Sequence, residues 1–488
     1  MTSKASLFAG HPPGLAALFM TELWERFSYY GMRALLVLYM TAPAVGGGFG
    51  LATVDAARIY GNYTMAVYLL AIPGGFLADA YLGARRAVLI GGIMIACGHY
   101  AMAVHSALTF YLGLALIALG TGLFKPSISA LVGGLYGAGD ARRDAGFSIF
   151  YMGINIGAFI APLVTGFLAQ SSWFKAWLAA RGFDPSLSWH WGFGAAGVGM
   201  TVAMLVYLAR SGTLAVGPTP RVEDGAAQRA ALVGAGTLAL LAVGLASDAP
   251  GLEWLRALFL IAPVVVIAWF ARQPGSDTQR IAAVFVFFIA SMVFWAIFEQ
   301  AGLSIALFAD RLTTNSVMGL AFPSAWFQAL NPLFVIALAP IIAAIWLRLG
   351  ARQPSAPVKF ALGLGFLALS FILMAPAAML TAAGKVSPLW LVGLFLLQTI
   401  GELCLSPVGL STMTKLAPPG QSGLMLGIWF LASAWGNKLA GVIGAEFAPD
   451  DPASLAWFFL RQALLVGLAM GLLIALVPWL KRLMGDVR

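Results

Sequence analysis

Charge is what this sequence has least of. Only 10% of its 488 residues are Asp, Glu, Lys or Arg, against about 25% in a soluble globular protein. With 61% hydrophobic residues and a mean hydropathy of +0.89, that shortage excludes a water-soluble globule and leaves an integral membrane protein of the helical kind. Cysteine is scarcer still. Cys97 and Cys404 are the two in the chain, both inside apolar runs, so neither a disulfide framework nor a metal site is expected, and both read as buried small hydrophobes. The histidines are His11, His99, His105 and His190. They form no H-E-x-x-H and no nucleophile–histidine arrangement, which disfavours a membrane-embedded enzyme. No small-residue cleavage site follows Met1-Thr-Ser-Lys4, so no removed signal peptide is expected. The net charge of +9 does not call for a nucleic-acid partner, because the basic residues punctuate loops instead of clustering.

What is abundant is long apolar runs. Read between polar breaks, they predict helices at about 14–40, 54–78, 85–105, 108–134, 143–169, 190–209, 227–247, 252–271, 281–308, 324–348, 358–381, 388–414, 422–444 and 455–480. An all-α polytopic fold of fourteen spans follows. Arg58, Lys175, Arg181, Arg256, Arg311, Lys385 and Arg461 fall on one side of such a layout, and seventeen Lys and Arg, from Lys4 to Arg488, fall on the other. The basic excess places both termini in the cytoplasm.

The first run carries the most informative stretch, Thr21-Glu-Leu-Trp-Glu-Arg-Phe-Ser-Tyr-Tyr-Gly-Met-Arg33. Each charge near mid-membrane costs about 2.5–3.5 kcal/mol on insertion scales. Advancing about 100° per residue from Glu22, Arg26 falls at about 40°, Tyr29 at about −20° and Arg33 at about 20°, with Glu25 and Tyr30 flanking at about −60° and about 80°. The charges make one polar stripe, which must face protein or water because lipid cannot solvate it.

An internal repeat is visible. Pro73, Gly83, Ala84 and Arg85 recur as Pro340, Gly350, Ala351 and Arg352; 340 − 73 and 352 − 85 both give 267. A constant offset argues for two related six-helix bundles of the same orientation. The expected division is 1–211 for the first bundle, 212–275 for a polar linker (with Glu223 and Asp224) and two additional helices, and 276–488 for the second bundle. The two additional helices contain no intramembrane charge apart from Asp248, Glu253 and Arg256 in the turn between them, and read as a structural insertion.

Beyond the first helix, charges well inside runs are few: Lys125, Glu299, Glu402 and Lys438. Lys125 precedes Pro126, which loosens its helix and frees a carbonyl. Glu402 precedes Pro407 in the run that corresponds under the repeat, so a cation in one bundle answers an anion in the other, an arrangement that suits a substrate carrying both a carboxylate and an amine. Trp295 lies four residues before Glu299 on one face. Asn155, Asn331 and Ser433 add hydrogen-bonding groups, and Tyr68 and Trp429 add aromatic walls. A single intramembrane charge is often only an interhelical clamp, but Glu22, Glu25, Arg26, Arg33, Lys125, Glu299 and Glu402 on four helices favour function. Lys438, beside Asn437, reads as a snorkelling lysine. Asp79 with Arg85 and Arg86 reads as a loop-stabilising charge cluster. The expected pairings are Glu22 or Glu25 with Arg26 and Lys125, and Arg33 with Glu299. A carboxylate beside such a cation can exchange a proton when a substrate claims its partner.

Glu22-Leu-Trp-Glu-Arg-Phe27 with Tyr29-Tyr-Gly31 resembles the E-x-x-E-R-F motif of the proton-dependent oligopeptide transporters, a branch of the major facilitator superfamily. Further matches run in order along the chain: Gly120–Pro126, Phe150–Gly157, Phe298-Glu-Gln300, Trp326–Pro332, Gly401–Pro407 and Gly427-Ile-Trp-Phe430. The Gly75–Arg86 loop resembles the superfamily's G-x-L-a-D-r-x-G-r-r loop, with Ala80 in place of a basic residue. The resemblance covers about Leu15 to Leu480, and the two inserted helices resemble the fourteen-helix layout of bacterial members.

The resemblance implies that Arg33 and Lys125 hold the carboxylate of a peptide, and that Asn155, Asn331 and Glu402 hold its amine and backbone. It places Tyr29, Tyr30, Tyr68, Trp295, Trp429 and Ser433 on the pocket wall, and puts Glu22, Glu25 and Glu299 in proton coupling, to which the charge pairing above adds Arg26 and Lys125. Animal members carry a proton-linked histidine about where this chain has Gly61, so coupling here is expected to rest on carboxylates. The expected function is a symporter of protons with di- and tripeptides, working by rocking of the two bundles. It would be a monomeric unit in a bacterial inner membrane, with the proton as its coupling ion and no other cofactor. A relative carrying nitrate, drugs or other small solutes is the alternative.

Overall fold

The structure, a computed structural model, describes residues 8–137, 140–214, 226–272, 277–417 and 422–485. Glu223, Asp224 and most of the polar linker lie outside them, as do Lys4, Arg221 and Arg488 of the basic set. Among the described residues the chain is all-α apart from the antiparallel pair β1 (Ser316–Val317) and β2 (Leu320–Ala321). Its helices are α1 (Gly14–Thr41), α2 (Thr53–Leu69), α3 (Ala71–Leu77), α4 (Ala84–Met102), α5 (Ala107–Gly134), α6 (Arg143–Gln170), α7 (Ser172–Ala180), α8 (Ser188–Ala209), α9 (Ala226–Ala246), α10 (Leu255–Ala271), α11 (Thr278–Phe298), α12 (Ser304–Arg311), α13 (Leu330–Leu349), α14 (Ala356–Leu380), α15 (Leu389–Leu416), α16 (Ser422–Gly444) and α17 (Pro452–Met484).

Every expected run contains a helix, and among the described residues ten helical segments are long and apolar enough to cross a membrane. The charged α1 and the glycine-rich α4 are not among those ten, and α9 and α10 count as shorter apolar helices.

Three runs depart from a single helix. The run 54–78 divides at Leu70 into α2 and α3, because Pro73 cannot donate to the Leu69 carbonyl. The run 281–308 breaks at Glu299–Gly302, a 3-10 turn joining α11 to α12. There Gly302 lies against the Tyr60 ring: an added Cβ would sit 2.0 Å from the Tyr60 hydroxyl. The run 324–348 opens with the 3-10 turn Ser324–Ala329 before α13 begins. The short helix α7 falls outside the expected runs. Ser171 caps it by accepting from Phe174 N at 3.3 Å, and the Arg181 guanidinium lies 3.9 Å over the Trp177 ring.

The helices form two compact units. The first comprises Met1–Gly50, Leu69–Leu238 and Phe322–Leu333; the second comprises Leu51–Tyr68, Ala239–Ala321 and Phe334–Arg488. Within the first, α1 packs on α6 and α8, and α4 on α5 and α8. Within the second, α14 packs on α15 and α17, and α11 on α16 and α17. Helix α2 groups with the second unit although it lies early in the chain. The repeated loops share one backbone feature: Gly83 (φ 74°) and Gly350 (φ 48°) both take positive φ, which glycine adopts freely.

Two expectations from the sequence do not hold. Cys404 is buried, but Cys97 is exposed on α4, as a residue on an apolar helix face turned to lipid would be. Among the described residues Asp79 makes no ion pair with Arg85 or Arg86; Arg85 Nη2 instead donates to Ser211 O at 2.9 Å, and Tyr207 donates to Arg85 O at 3.0 Å. In the turn between α5 and α6, Arg142 Nη2 donates to Asp140 at 2.7 Å and Arg142 Nη1 to Gly10 O at 2.7 Å. That hydrogen bonding pulls the Asp140 carboxyl down to about 2, so the tie stays ionised at neutral pH.

Candidate functional site

The polar stripe of α1 folds into a buried cluster. Glu22, Glu25 and Arg26 are 3%, 0% and 5% exposed. Arg26 Nε lies 3.0 Å from Glu22 Oε1 and also donates to Glu25 Oε2. Two carboxylates thus share one guanidinium, and if both are ionised the cluster carries one negative charge that a proton or a further cation must balance. Lys125 is near enough to act electrostatically on Glu22. Glu22 Oε2, Glu25 Oε1 and Arg26 Nη2 are buried without a hydrogen-bond partner among the described residues, an expensive state for charged groups at rest. Arg26 also lies 5.4 Å over the Tyr29 ring, and Arg33 lies 5.9 Å over Tyr30.

Helix α6 makes this close packing possible. Its Gly153 and Gly157, in the Phe150–Gly157 motif, let α1 approach: a Cβ on Gly157 would lie 2.2 Å from Leu23 O and 3.1 Å from Arg26 Cβ. Such small-xxx-small spacing brings membrane helices together. Thr165 completes the seam by donating to Gly31 O at 3.1 Å. The reverse face of α1 is apolar, with Trp24 and Phe27 walling a cavity of about 590 Å³ beside residues of α6 and α8.

On α5 the chain runs helical through Pro126. The Gly122 carbonyl freed by that proline faces Gly74 of α3, where a Cβ would lie 2.1 Å away. Lys125 is half-buried one residue before the proline. Asn155, buried on α6, donates to Tyr151 O at 3.0 Å. Asn331, at the start of α13, also belongs to the first unit. So the first unit holds Glu22, Glu25, Arg26, Tyr29, Tyr30, Arg33, Lys125, Asn155 and Asn331.

The second unit holds Tyr68, Trp295, Glu299, Glu402, Trp429 and Ser433. Glu299 is 3% exposed and sits where α11 breaks; interrupted helices at membrane depth are tolerated where they are enclosed by protein or line a cavity. Next to it, Gln300 Nε2 donates to Ala440 O at 2.9 Å and Ser304 Oγ donates to Gln300 Oε1 at 2.8 Å, tying the break to α16. Trp295 meets Phe294 and Phe298 edge-on, and its Nε1 is buried without a partner among the described residues. Glu402 is half-buried on α15. Trp429, 2% exposed, is wedged against Gly409, where a Cβ would lie 2.0 Å from its ring.

Lys438 is not a snorkelling lysine. It is 4% exposed and paired with Asp248 at 2.5 Å. Its partner lies in the turn of the inserted helices. A lysine and an aspartate, each stranded in apolar sequence, are the only signal of this pair, and 190 residues separate them.

At Gly61, about where animal members carry a histidine, no side chain fits: a Cβ would lie 2.7 Å from Gly441 Cα and 3.1 Å from Asn437 O. Gly61→His should therefore force α2 off α16 and cost about 1–3 kcal/mol or more, read as a lowered thermal unfolding midpoint in detergent. A wild-type midpoint would contradict this packing. The histidines are occupied elsewhere: His105 Nδ1 and His190 Nε2 are 2.8 Å apart, and His11 Nδ1 is 2.9 Å from the Tyr136 hydroxyl. His99 is fully buried on α4.

Comparison with known proteins places this arrangement in a family. A model described as the POT family matches residues 85–450. A peptide transporter from Yersinia enterocolitica is 40% identical over 100% of this chain and 98% of its own. A di-/tripeptide transporter from Lactococcus lactis subsp. cremoris is 39% identical over 99% of this chain and 98% of its own. Among solved structures, a mutant of a peptide transporter POT in complex with alafosfalin superposes with a TM-score of 0.87 at 41% identity, covering 98% of this chain and 97% of that one. A POT family transporter in complex with 5-aminolevulinic acid superposes with a TM-score of 0.84 at 30% identity, covering 97% and 98%. The chain has their major facilitator fold and belongs to the POT family, the proton-dependent oligopeptide transporters.

Proposed function

We propose that this protein imports di- and tripeptides by symport with protons, alternating access through the relative motion of two six-helix bundles, 1–211 and 276–488. Support comes from the names of its relatives, a peptide transporter and a di-/tripeptide transporter. The observation that carries proton coupling is the sharing of the Arg26 guanidinium by two buried carboxylates. That cluster needs one more positive charge, supplied by Lys125 or by a proton. When the peptide carboxylate engages Lys125 and Arg33, Lys125 is withdrawn from Glu22 and a proton takes its place. Glu299, buried at a helix break, is the second proton-linked carboxylate.

The peptide amine and backbone fall to Glu402, Asn155 and Asn331, with Tyr29, Tyr30, Tyr68, Trp295, Trp429 and Ser433 as walls. No metal or organic cofactor has a part in this scheme. The working unit is the monomer, in a bacterial inner membrane with both termini cytoplasmic, as the basic residues favour. A nitrate or drug carrier needs no cation and carboxylate to receive the two ends of a zwitterion, so that alternative is disfavoured.

A competition panel on the purified protein tests the reading. Dialanine and trialanine should displace a labelled dipeptide, N-acetyl-dialanine should compete at least about tenfold less well for want of the charge-assisted amine bond to Glu402, and nitrate should not compete. Equal competition by the N-acetylated peptide would remove Glu402 from the amine; competition by nitrate alone would favour the other class of cargo.

A further inference from the structure

The turn joining α9 to α10 closes a triangle of polar side chains, buried or half-buried, from three parts of the chain. Lys438 Nζ of α16 donates to Asp248 Oδ2 at 2.5 Å and to Asn62 Oδ1 of α2 at 2.6 Å. Asn62 Nδ2 returns to Asp248 Oδ2 at 2.8 Å. The Asp248 and Lys438 side chains are 10% and 5% exposed. Arg256 of α10 stands 3.7 Å from the other Asp248 oxygen and donates through Nε to Ser247 O at 3.1 Å. Beside the triangle, α2 and α16 meet backbone to backbone at Gly61 and Gly441. One turn earlier on α16, Trp435 Nε1 donates to Phe259 O of α10 at 2.7 Å, and the two rings stack at 4.4 Å. On the other flank, a Cβ on Gly244 of α9 would lie 3.0 Å from the Met65 sulfur of α2. The inserted pair therefore grips α2 with one helix and α16 with the other.

Energy alone does not account for a buried ionic triangle. A well-packed apolar substitute of the same volume is often as stable or more so, whereas removal of one partner strands a charge. What the triangle adds is register: one arrangement of α2, α16 and the turn satisfies all three side chains, and a small slide satisfies none. In the proposed division α2 belongs to the first bundle and α16 to the second, and they carry Tyr68 and Ser433; the structure nevertheless groups α2, the turn, α10 and α16 in one compact unit, as a fastened clasp would.

We infer that the inserted helix pair is a clasp in the transport cycle, in which Asp248 holds Asn62 of α2 and Lys438 of α16 in one register and must release them for the bundles to rock. Asp248, Asn62 and Lys438 are positioning residues: they set when α2 and α16 move apart, and none of them is assigned a contact with peptide. The inference rests on the transport reading, but the decisive measurement does not require a peptide.

The test uses the full chain in liposomes. Spin labels on Asp55→Cys, in the exposed first turn of α2, and Glu446→Cys, just beyond α16, report their separation by electron–electron distance spectroscopy in a Cys97→Ala background. Asp248→Leu with Lys438→Met removes both buried charges together, and Arg256, whose side chain is 34% exposed, keeps water and its bond to Ser247 O. Relative to the clasped chain, this variant should gain a longer-distance population of at least about 30% of molecules. Its maximal rate of dipeptide uptake should change by at least about threefold, with KM within about twofold of wild type. A distance distribution identical to that of the parent overturns the clasp, as does a maximal rate left at the wild-type value; a purely architectural triangle predicts both. Should the double variant fail to fold, Asn62→Leu, which keeps the ion pair and removes one corner, is measured in the same way, and the same two results support or overturn the clasp. Absence of peptide uptake by the wild-type chain would instead strike the transport reading and leave the distance result standing as a test of the clasp.

Discussion

Glu25→Gln, and separately Glu22→Gln, should abolish accumulation of dipeptide driven by a proton gradient while leaving peptide counterflow intact. Both carboxylates lie on the Arg26 guanidinium in a cluster that excludes water. Glutamine keeps the shape and the hydrogen-bonding oxygen but cannot exchange a proton. Counterflow swaps one peptide for another across the membrane and needs no net proton movement. Accumulation does need it: each coupled proton under a gradient of one pH unit is worth about 1.4 kcal/mol, or about tenfold in concentration. The accumulation ratio of the variants should therefore fall to about one, with exchange of labelled for unlabelled peptide within about threefold of wild type. Unimpaired accumulation by a variant would remove that glutamate from the proton path.

Gly157→Ala should be among the most damaging single-methyl changes available in this chain. Its Cβ would stand 2.2 Å from Leu23 O and 3.1 Å from Leu23 C and Arg26 Cβ. The nearest obstacle is backbone, which cannot swing aside as the end of a long side chain can, so α1 must shift bodily and take the Glu22–Glu25–Arg26 cluster with it. Overpacking of this kind costs about 3 kcal/mol or more once helices are displaced. Gly467→Ala on α17 is the control, because nothing lies within 4 Å of its added methyl and alanine is the better helix former by about 1 kcal/mol. Thermal unfolding in detergent should show a large drop for Gly157→Ala and none for Gly467→Ala. Equal midpoints would contradict the contact between α1 and α6.

The stripe on α1 is legible in the sequence because a bilayer leaves so few ways to accommodate four charges in one helix. The angular positions of Glu22, Glu25 and Arg26 already require a protein-lined environment, and the structure supplies it through Gly153 and Gly157. The helical runs are legible for the same reason, through the length an apolar run must have. Interruptions are less so. Pro73 announces the division of α2 from α3, but the break at Glu299 has no proline, and its neighbour across the fold, Tyr60 against Gly302, comes from elsewhere in the chain.

Pairing is least legible. Taken with its own neighbours, Asp248 reads as a turn residue and Lys438 as a snorkelling one. Only the packing of α2, α10 and α16 shows that they answer each other. Asp79 fails in the opposite direction: closeness in sequence to Arg85 and Arg86 predicts a cluster, yet Arg85 turns to the Ser211 carbonyl. The candidate binding residues stand out by their chemistry at membrane depth and by resemblance. Packing adds what that route does not show: the Trp429 ring lies against Gly409.

The most direct measurement of proton-coupled peptide import is proton movement itself. Purified protein in liposomes holding a pH-sensitive dye, with a more acidic exterior, should acidify the interior when dialanine or trialanine is added outside, and N-acetyl-dialanine should produce little of this signal. An interior pH that neither peptide changes, with protein that still binds a labelled dipeptide, would contradict proton-coupled symport.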